Sequence, residues 1–271
     1  QGVGGGLPMS TAGVTIMAYH WIDPDPGVRL REWGLTPEAF EAQMTALAAG
    51  GYRVLPMIDV LEIASGRRAA PPRSVALTFD DGYLGLLDHA LPVLKRFGFP
   101  ATFFLVSDRV GGTNAWDAGH GDAPRRLMGW SEAATLVAEG MEIGSHSRTH
   151  PQLTGLSEAE MEGEIRGSKE TIEDRLGRPV RLFSYPHGQE DGRTRRLVAS
   201  AGYAGAVTSV SGGNPPGVDP YRLRRSEIGF YDTPWSFSFK ARTGFGVRGW
   251  AASTAGDVLR LIVPSARGAA S

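Results

Sequence analysis

Cysteine is absent from the 271 residues of this sequence. Disulfide bonds and thiolate ligands for a metal are therefore excluded. The sequence also has no run of about twenty apolar residues, so it contains no candidate transmembrane helix. Acidic and basic residues nearly balance to a net charge of -1, which gives no general attraction to nucleic acid or to an anionic membrane. The hydrophobic fraction of 41% is that of an ordinary globular protein.

The first residues lack the features of a secretory signal peptide. Gln1 to Pro8 has neither a basic segment nor an apolar one, and we interpret it as a cloning remnant or a disordered start. If Met9 is the natural start, the protein is expected to be cytoplasmic. If an export signal has been removed, it is expected outside the cytoplasm. We assign residues 9–232 to one domain and residues 233–271 to a C-terminal extension.

Short apolar runs alternate along the chain with segments of helical pattern, which is typical of parallel strands in an α/β fold. One helix is expected from Pro37, with Thr36 as its N-cap and Gly50 as its stop. Ser157 and Glu160 form the signature of a capping box at the start of another helix. The expected strands are Val14 to Tyr19, Arg53 to Met57, Ser74 to Phe79, Ala101 to Val106, Met141 to Gly144, Arg181 to Ser184 and Ala204 to Val207.

Two adjacent carboxylates, Asp80 and Asp81, follow the expected strand Ser74 to Phe79 and precede Gly82. In α/β folds, chemistry is concentrated at the carboxyl ends of the strands. Neighbouring carboxylates repel each other unless a proton or a cation neutralises one, so the pair indicates a metal ligand beside a general base. The alternative is an ordinary polar turn, because Asp and Gly are favoured in turns.

Two histidines separated by three residues, His146 and His150, are candidates for the remaining ligands. Two histidines and one carboxylate are a common ligand set for a catalytic zinc ion, since a position stays open for water or substrate. Gly144 before the pair and Pro151 after it favour a loop over a helix. The alternative is two loop histidines that are bonded to backbone carbonyls.

Three segments together resemble the motifs of the polysaccharide deacetylases, the NodB-like carbohydrate esterases of family 4. These segments are Thr78 to Gly82, His146 to His150 and Phe183 to Gly188, and each contains or follows the end of an expected strand. The resemblance covers roughly Val14 to Phe230. It implies a distorted (β/α)7 barrel, to which an aromatic-rich C-terminal extension is added.

The resemblance also implies roles for individual residues. Asp81, His146 and His150 would hold one divalent ion, with Zn2+ as the first expectation and Co2+, Ni2+ or Mn2+ as alternatives. Asp80 would be the general base that takes a proton from the attacking water. The backbone N–H of His187 would stabilise the oxyanion that forms on the substrate.

Tyr185 and Pro186 are expected, again by resemblance, to line the groove around this site. The sequence departs here from the commonest family pattern, because His187 stands where an aromatic residue usually follows the proline. The Gly- and Asp-rich insertion Ser107 to Trp130 also contains tryptophans. We consider Trp130 a candidate sugar contact, with packing onto the core as the alternative.

The proton donor for the leaving amine is expected at the N-terminal side of the chain. Many family members carry this histidine near the C-terminus, but this sequence has no histidine after His187. The segment Ile16 to His20 resembles the poly-β-1,6-N-acetylglucosamine deacetylases of bacterial biofilms, in which the acid comes from the N-terminal side. His20 is therefore the candidate general acid, since histidine titrates near neutral pH.

The resemblance implies a metal-dependent hydrolase of linear amide bonds that acts on N-acetylglucosamine units of a bacterial exopolysaccharide or oligosaccharide and releases acetate. The amines that remain would be cationic and adhesive, which favours a biofilm or holdfast polysaccharide as the substrate. Two alternatives stay open. One is a deacetylase of a small or lipid-linked amino sugar, and the other is a catalytically silent glycan-binding protein on the same fold.

Aromatic residues are concentrated in the C-terminal extension. Trp235, Phe237 and Phe239 alternate as they would in a strand, and Val258 to Val263 is an apolar run that fits a helix face. Three interpretations compete for this segment: packing onto the barrel, a homodimer interface, and contact with a membrane surface or a lipid-linked substrate.

Overall fold

The computed structural model describes residues 13–246 except Pro26 and His120. The strands are β1 (Thr15–Tyr19), β2 (Trp21–Ile22), β3 (Gly34–Leu35), β4 (Arg53–Val54), β5 (Ser74–Phe79), β6 (Thr102–Leu105), β7 (Glu142–Ser145), β8 (Leu182–Ser184), β9 (Gly205–Val207) and β10 (Arg225–Glu227). The helices are α1 (Pro37–Ala49), α2 (Met57–Ala64), α3 (Gly85–His89), α4 (Leu91–Phe97), α5 (Trp130–Ala138), α6 (Glu158–Leu176), α7 (Gly192–Ser200) and α8 (Pro234–Thr243).

Eight of the described strands form one parallel sheet that curves into a nearly closed barrel. The strand order is β10, β1, β5, β6, β7, β8, β9, and β4 pairs with the first residues of β5. The two ends of this order meet at a parallel bridge between Val207 and Leu223 instead of a full ladder. The short strands β2 and β3 form a separate pair. This architecture confirms the expected distorted (β/α)7 barrel.

Side chains of the strands alternate between the inside of the barrel and the layer of surrounding helices, as the two-residue period of a strand requires. Ala76 and Phe104 belong to an inner cluster that also contains the apolar face of α2. Leu77 and Phe103 belong to the larger outer cluster under the other helices. The rings of Phe79 and Phe103 stack in that outer layer with their centroids 4.7 Å apart.

The helix boundaries expected from capping residues are confirmed. Thr36 accepts a hydrogen bond from the Ala39 N–H at the start of α1, and Gly50 follows its last residue. Ser157 and Glu160 form a reciprocal capping box at the start of α6. In the described part of the chain, none of the helices combines the length and the apolar character needed to cross a bilayer.

Two strands differ from the sequence-based expectation. The strand expected from Arg53 to Met57 ends at Val54, because Pro56 caps α2 and Met57 is already its first residue. The strand β10 was not expected from the sequence. Its side chains include the buried Arg225, which hydropathy assigns to a surface.

The strand predicted from Trp235, Phe237 and Phe239 is wrong, since these residues lie in α8. Thr233 caps this helix, and Pro234 occupies its first position. Positions 235 and 239 are one turn apart, so these two rings stack on the same side of the helix. Phe237 is buried, and α8 packs against β1 and α1. The apolar run Val258 to Val263 and the first residues Gln1 to Pro8 lie outside the described residues.

Candidate active site

The alternation of side chains along the strands delivers polar groups to one end of the barrel interior. His20 follows β1, Asp80 follows β5 and His146 follows β7, each one residue beyond the strand. Ser184 ends β8 and Arg225 begins β10. Because these strands are parallel, the polar side chains after β1, β5 and β7 can meet at the carboxyl end of the barrel. Arg225 is in register with Ile16, nearer the amino end, and its long side chain reaches Asp80 from there.

Asp80 and Arg225 form a buried ion pair at the base of this site. The guanidinium donates through Nη1 to Asp80 Oδ1 at 2.8 Å and through Nη2 to Asp80 Oδ2 at 2.7 Å. Arg225 also donates to Ser184 Oγ at 3.1 Å and to the Thr208 carbonyl at 2.9 Å. Burial alone would raise the pKa of the Asp80 carboxyl, but the guanidinium outweighs it and holds this pKa well below its usual range. Asp80 is therefore a carboxylate at neutral pH.

Asp81, His146 and His150 place three potential ligand atoms around one point. The ligand atoms lie within 4.8 Å of one another, and all three residues are buried. Each histidine Nε2 lies 3.5 Å from Asp81 Oδ1, and this oxygen has no hydrogen-bond partner among the described residues. A tetrahedral ion with bonds of about 2.1 Å would separate its ligand atoms by about 3.4 Å. The three residues therefore fit a divalent cation.

The protonation states of these groups also favour a cation. The His146 Nδ1 lies 2.7 Å from the Ser184 carbonyl, an arrangement in which Nδ1–H donates and Nε2 keeps its lone pair for the ion. Burial lowers the pKa of His146 to about 4, so its ring is neutral at pH 7. Burial also raises the pKa of Asp81 to about 7, and the nearby Asp80 carboxylate adds to this rise. A cation would supply the positive charge that the Asp81 carboxylate lacks.

Backbone strain is concentrated at this site. Of the five non-glycine residues with positive φ in the described part of the chain, four are here: Asp81 at 69°, Ser147 at 65°, His150 at 68° and His187 at 57°. Such conformations cost on the order of 1–3 kcal/mol each and persist where the surrounding structure enforces them. Gly82 also has a positive φ, of 74°, so the chain turns sharply immediately after Asp81.

The loop that carries the two histidines is held by α6. Both oxygens of Glu164 accept hydrogen bonds from this loop, from the N–H groups of Arg148 and Thr149 and from the Thr149 hydroxyl. The His150 ring lies between two other rings, since Trp116 stacks on it at 4.5 Å and His187 meets it edge-on at 4.6 Å. These contacts fix the orientation of the His150 imidazole.

His20 lines the same cleft as these residues. Its Nδ1 is 4.0 Å from a carboxylate oxygen of Glu227, at the end of β10. Its ring packs against Trp33, with the ring centroids 4.9 Å apart. The side chain is 16% exposed, so the imidazole is held by its neighbours but can still reach a ligand in the cleft.

These side chains line a cleft of about 250 Å3. The cleft contains His20, Asp80, Asp81, His146, His150 and His187, and its walls include Trp33, Trp116, Tyr185 and Ser209. The hydroxyl of Tyr185 donates to the Tyr221 carbonyl at 3.1 Å and is not directed at a ligand. Pro186 is buried at the start of the short 3₁₀ turn Pro186–Gly188.

Trp130 is not brought to the cleft. It is the first residue of α5, packs partly buried against the outer core, and has the Arg175 guanidinium 5.8 Å from its ring centroid. Trp130 therefore packs onto the core, which was the alternative to its being a sugar contact. Trp116, from the same insertion, lines the cleft instead.

Sequence reasoning missed Arg225, Glu227, Ser184 and Trp33. Arg225 and Glu227 are separated by one residue, which in a strand places both side chains on the same face. This spacing is the signal that could have found them, once a strand was expected there. Trp33 had no comparable signal, because it follows a loop that only the folded chain places beside His20.

Comparison with known proteins agrees with this geometry. The family described as polysaccharide deacetylase matches residues 67–206. The Bacillus subtilis protein YxkH is 25% identical over 217 residues, which cover 80% of this chain and 72% of that protein. The poly-beta-1,6-N-acetyl-D-glucosamine N-deacetylase of Staphylococcus epidermidis is 23% identical over 205 residues, covering 72% of this chain and 68% of the relative.

The solved structure of IcaB from Ammonifex degensii has the same fold. Its TM-score is 0.73 at 25% sequence identity, and the match covers 85% of this chain and 96% of that one. The matched family segment is more than half of the present chain and contains Asp80 together with Asp81, His146 and His150 of the candidate metal site. The chain therefore belongs to the polysaccharide deacetylase family, whose members are hydrolases that act on polysaccharides.

Proposed function

We propose that this protein is a metal-dependent N-deacetylase that removes acetyl groups from N-acetylglucosamine units of a bacterial exopolysaccharide or oligosaccharide. The observation that carries the proposal is the convergence of Asp81, His146 and His150 beside the paired carboxylate of Asp80. A glycan-binding protein has no use for a strained, buried ligand set next to a buried base. The same groups suit amide hydrolysis, which needs an activated water and a polarised carbonyl.

Asp81, His146 and His150 would hold the divalent ion, and Zn2+ suits one carboxylate and two imidazoles. When bound, the ion supplies Lewis acidity to the acetyl carbonyl and to the attacking water. Asp80 accepts the proton of that water. Its partner Arg225 keeps it ionised and fixes both of its oxygens, so the base is oriented before the substrate arrives.

His20, which lines the same cleft, donates a proton to the departing amine. A carboxylate oxygen of Glu227 lies 4.0 Å from the His20 Nδ1, and Trp33 packs against the imidazole and fixes its ring plane. The backbone N–H of His187 stabilises the negative charge that develops on the carbonyl oxygen. In this assignment, the His187 side chain is not a proton donor.

The substrate class rests on the relatives. The Staphylococcus epidermidis relative is named a poly-beta-1,6-N-acetyl-D-glucosamine N-deacetylase, and it aligns with most of this chain. The placement of His20 at the end of β1 agrees with the resemblance of Ile16 to His20 to that branch. Removal of acetyl groups leaves cationic amines on a neutral glycan, which suits adhesion in a biofilm or holdfast.

The test is acetate release from β-1,6-linked and β-1,4-linked N-acetylglucosamine oligomers. Wild type and Asp80→Asn are compared with the control variant Asp59→Asn. Asp59 lies on α2, outside the cleft, and its carboxylate pairs with Arg68. We expect acetate release by wild type and by the Asp59 variant, with a loss of at least about 100-fold for Asp80→Asn. Equal release by all three proteins would contradict the proposed base. No release by wild type in the presence of Zn2+ would contradict the proposed substrate class.

A further inference from the structure

Three aromatic side chains on the rim of the barrel are exposed, although most aromatic residues in the described part of the chain are buried or partly buried. Trp33 is 36% exposed, Phe230 is 41% exposed and Tyr231 is 64% exposed. Trp33 precedes β3, and the other two residues follow β10 at the same end of the barrel as the catalytic groups. We refer to Trp33, Phe230 and Tyr231 as the aromatic rim.

The aromatic rim is held rigidly. The Arg31 guanidinium lies 5.0 Å from the Phe230 ring centroid and 5.3 Å from that of Tyr231, and its Nε donates to the Tyr231 hydroxyl at 2.9 Å. The loop of Phe230 lies directly against the loop of Trp33, since a Cβ added to Gly229 would collide with the Glu32 carbonyl. Exposed rings on such a fixed support bind a ligand with little loss of conformational entropy.

Further hydrogen bonds tie this loop to α8. Asp232 accepts from the Gly229 N–H at 3.0 Å and from the Lys240 ammonium at 2.8 Å. Lys240 also donates to the backbone carbonyl of Glu227 at 2.7 Å. Glu227 is the last residue of β10, and its side chain is the one that lies beside His20. The aromatic rim and the proton-donor side of the cleft therefore share one support.

The aromatic rim is continuous with the cleft. Trp33 lines the cleft and packs on His20. The guanidinium of Arg31, two residues earlier, packs against the rings of Phe230 and Tyr231. The cleft volume of about 250 Å3 is below the range of roughly 300–1,000 Å3 that is typical of sites enclosing a whole drug-sized ligand. A polymer that places one sugar unit in the cleft must therefore continue across the surface outside it.

We propose that the aromatic rim is a binding subsite for the sugar units next to the one that is deacetylated, on the His20 side of the cleft. This inference rests on the proposed function. Flat aromatic faces match the C–H faces of pyranose rings, and the Arg31 guanidinium supplies donors for hydroxyl or acetyl oxygens. The subsite makes a chain of several sugars a better substrate than a single sugar.

The experiment compares Phe230→Ala and Tyr231→Ala with wild type on two substrates, an N-acetylglucosamine monosaccharide and a pentamer of the linkage that wild type prefers. Trp235→Ala is the matched control, because Trp235 is also 64% exposed but stacks on Phe239 of α8. We expect each rim variant to lower kcat/KM for the pentamer by about 10-fold, through KM, while the value for the monosaccharide stays within about 2-fold of wild type. The Trp235 variant is expected to match wild type on both.

A binding measurement distinguishes failure of this proposal from failure of the proposed function. Calorimetry measures the affinity of the pentamer for protein from which a chelator has removed any metal. Weaker binding by the two rim variants, with unchanged binding by Trp235→Ala, supports the subsite even if no acetate is released. If wild type deacetylates the pentamer and both rim variants keep its kcat/KM and its affinity, the subsite is overturned while the proposed function stands. Equal losses for Trp235→Ala and the rim variants would also overturn it, because they would indicate a general apolar surface.

Discussion

Replacement of Arg225 by methionine is expected to destabilise the protein by about 3–5 kcal/mol, the usual cost of removing one partner from a buried ion pair. Arg225 is 1% exposed and donates to both oxygens of Asp80, which is 2% exposed. Methionine fills a similar volume but leaves the Asp80 charge without its partner. The loss is a large part of a typical unfolding free energy of about 5–15 kcal/mol, so the variant should fold but only marginally.

The pH dependence of this loss follows from the pKa of Asp80. Because this pKa lies below its usual range, the ion pair contributes stability above the unfolded-state value of about 4, and the contribution is lost as the pH falls further through the folded-state value. In Arg225→Met the guanidinium is gone and burial raises the pKa of the folded-state Asp80 carboxyl, so the folded variant takes up a proton as the pH falls. The difference in unfolding free energy between wild type and Arg225→Met is therefore expected to shrink between pH 7 and pH 3.5. Urea denaturation at pH 7 and at pH 3.5 measures both values.

Two further variants make this prediction specific. Arg68→Met removes a half-exposed arginine that pairs with Asp59, and it should cost at most about 1 kcal/mol. The double variant Asp80→Asn with Arg225→Met should be more stable than the sum of the single losses by about 1–3 kcal/mol, because it leaves no unpaired charge. Strict additivity, or a loss below about 1 kcal/mol for Arg225→Met, would refute the reasoning.

Three other predictions concern the chemistry of the cleft. His20→Ala should lower kcat at pH 7 by about 100-fold or more, measured as acetate release, and an unchanged kcat and pH profile would exclude it as the acid. His187→Gly should keep kcat/KM within about 3-fold, because glycine retains the backbone N–H and accepts the φ of 57°; a 100-fold loss would assign the role to the imidazole. The affinity of metal-free protein for Zn2+ should fall about 10-fold per pH unit from pH 7 to 5, because the ion displaces a proton from Asp81, whose pKa is about 7. Calorimetry that shows no proton release on Zn2+ binding at pH 6 would contradict this.

The parts of the fold that were predicted from the sequence are those with local signals. Capping residues marked the starts of α1 and α6, and Gly50 marked the end of α1. Apolar runs marked β1 and β5 through β9, within one or two residues at each end. The candidate ligands were also found, because they lie in two recognisable motifs at the ends of β5 and β7. Such signals depend only on residues that are neighbours in the sequence, so they can be interpreted before the fold is known.

The parts that were not predicted depend on distant partners. Arg225 lies 145 residues from Asp80 in the sequence, and a charged residue inside a barrel has no local mark. The three aromatic residues of α8 fitted a strand period equally well, and only the cap at Thr233 and burial of Phe237 decide for a helix. Trp130 shows the same limit, since its sequence position at the end of an insertion does not reveal that its ring packs near Arg175.

The central claim is that Asp81, His146 and His150 hold one divalent ion that the deacetylation requires. The most direct measurement is acetate release from an N-acetylglucosamine pentamer by chelated protein as Zn2+ is added back, with bound metal quantified in parallel. The account predicts almost no acetate release without metal, and an acetate release that rises with added Zn2+ and saturates near one bound ion per chain. In His150→Ala, neither metal binding nor acetate release is expected to recover at the same Zn2+ concentration. Full release by protein that carries no metal, or by His150→Ala without bound metal, would contradict it.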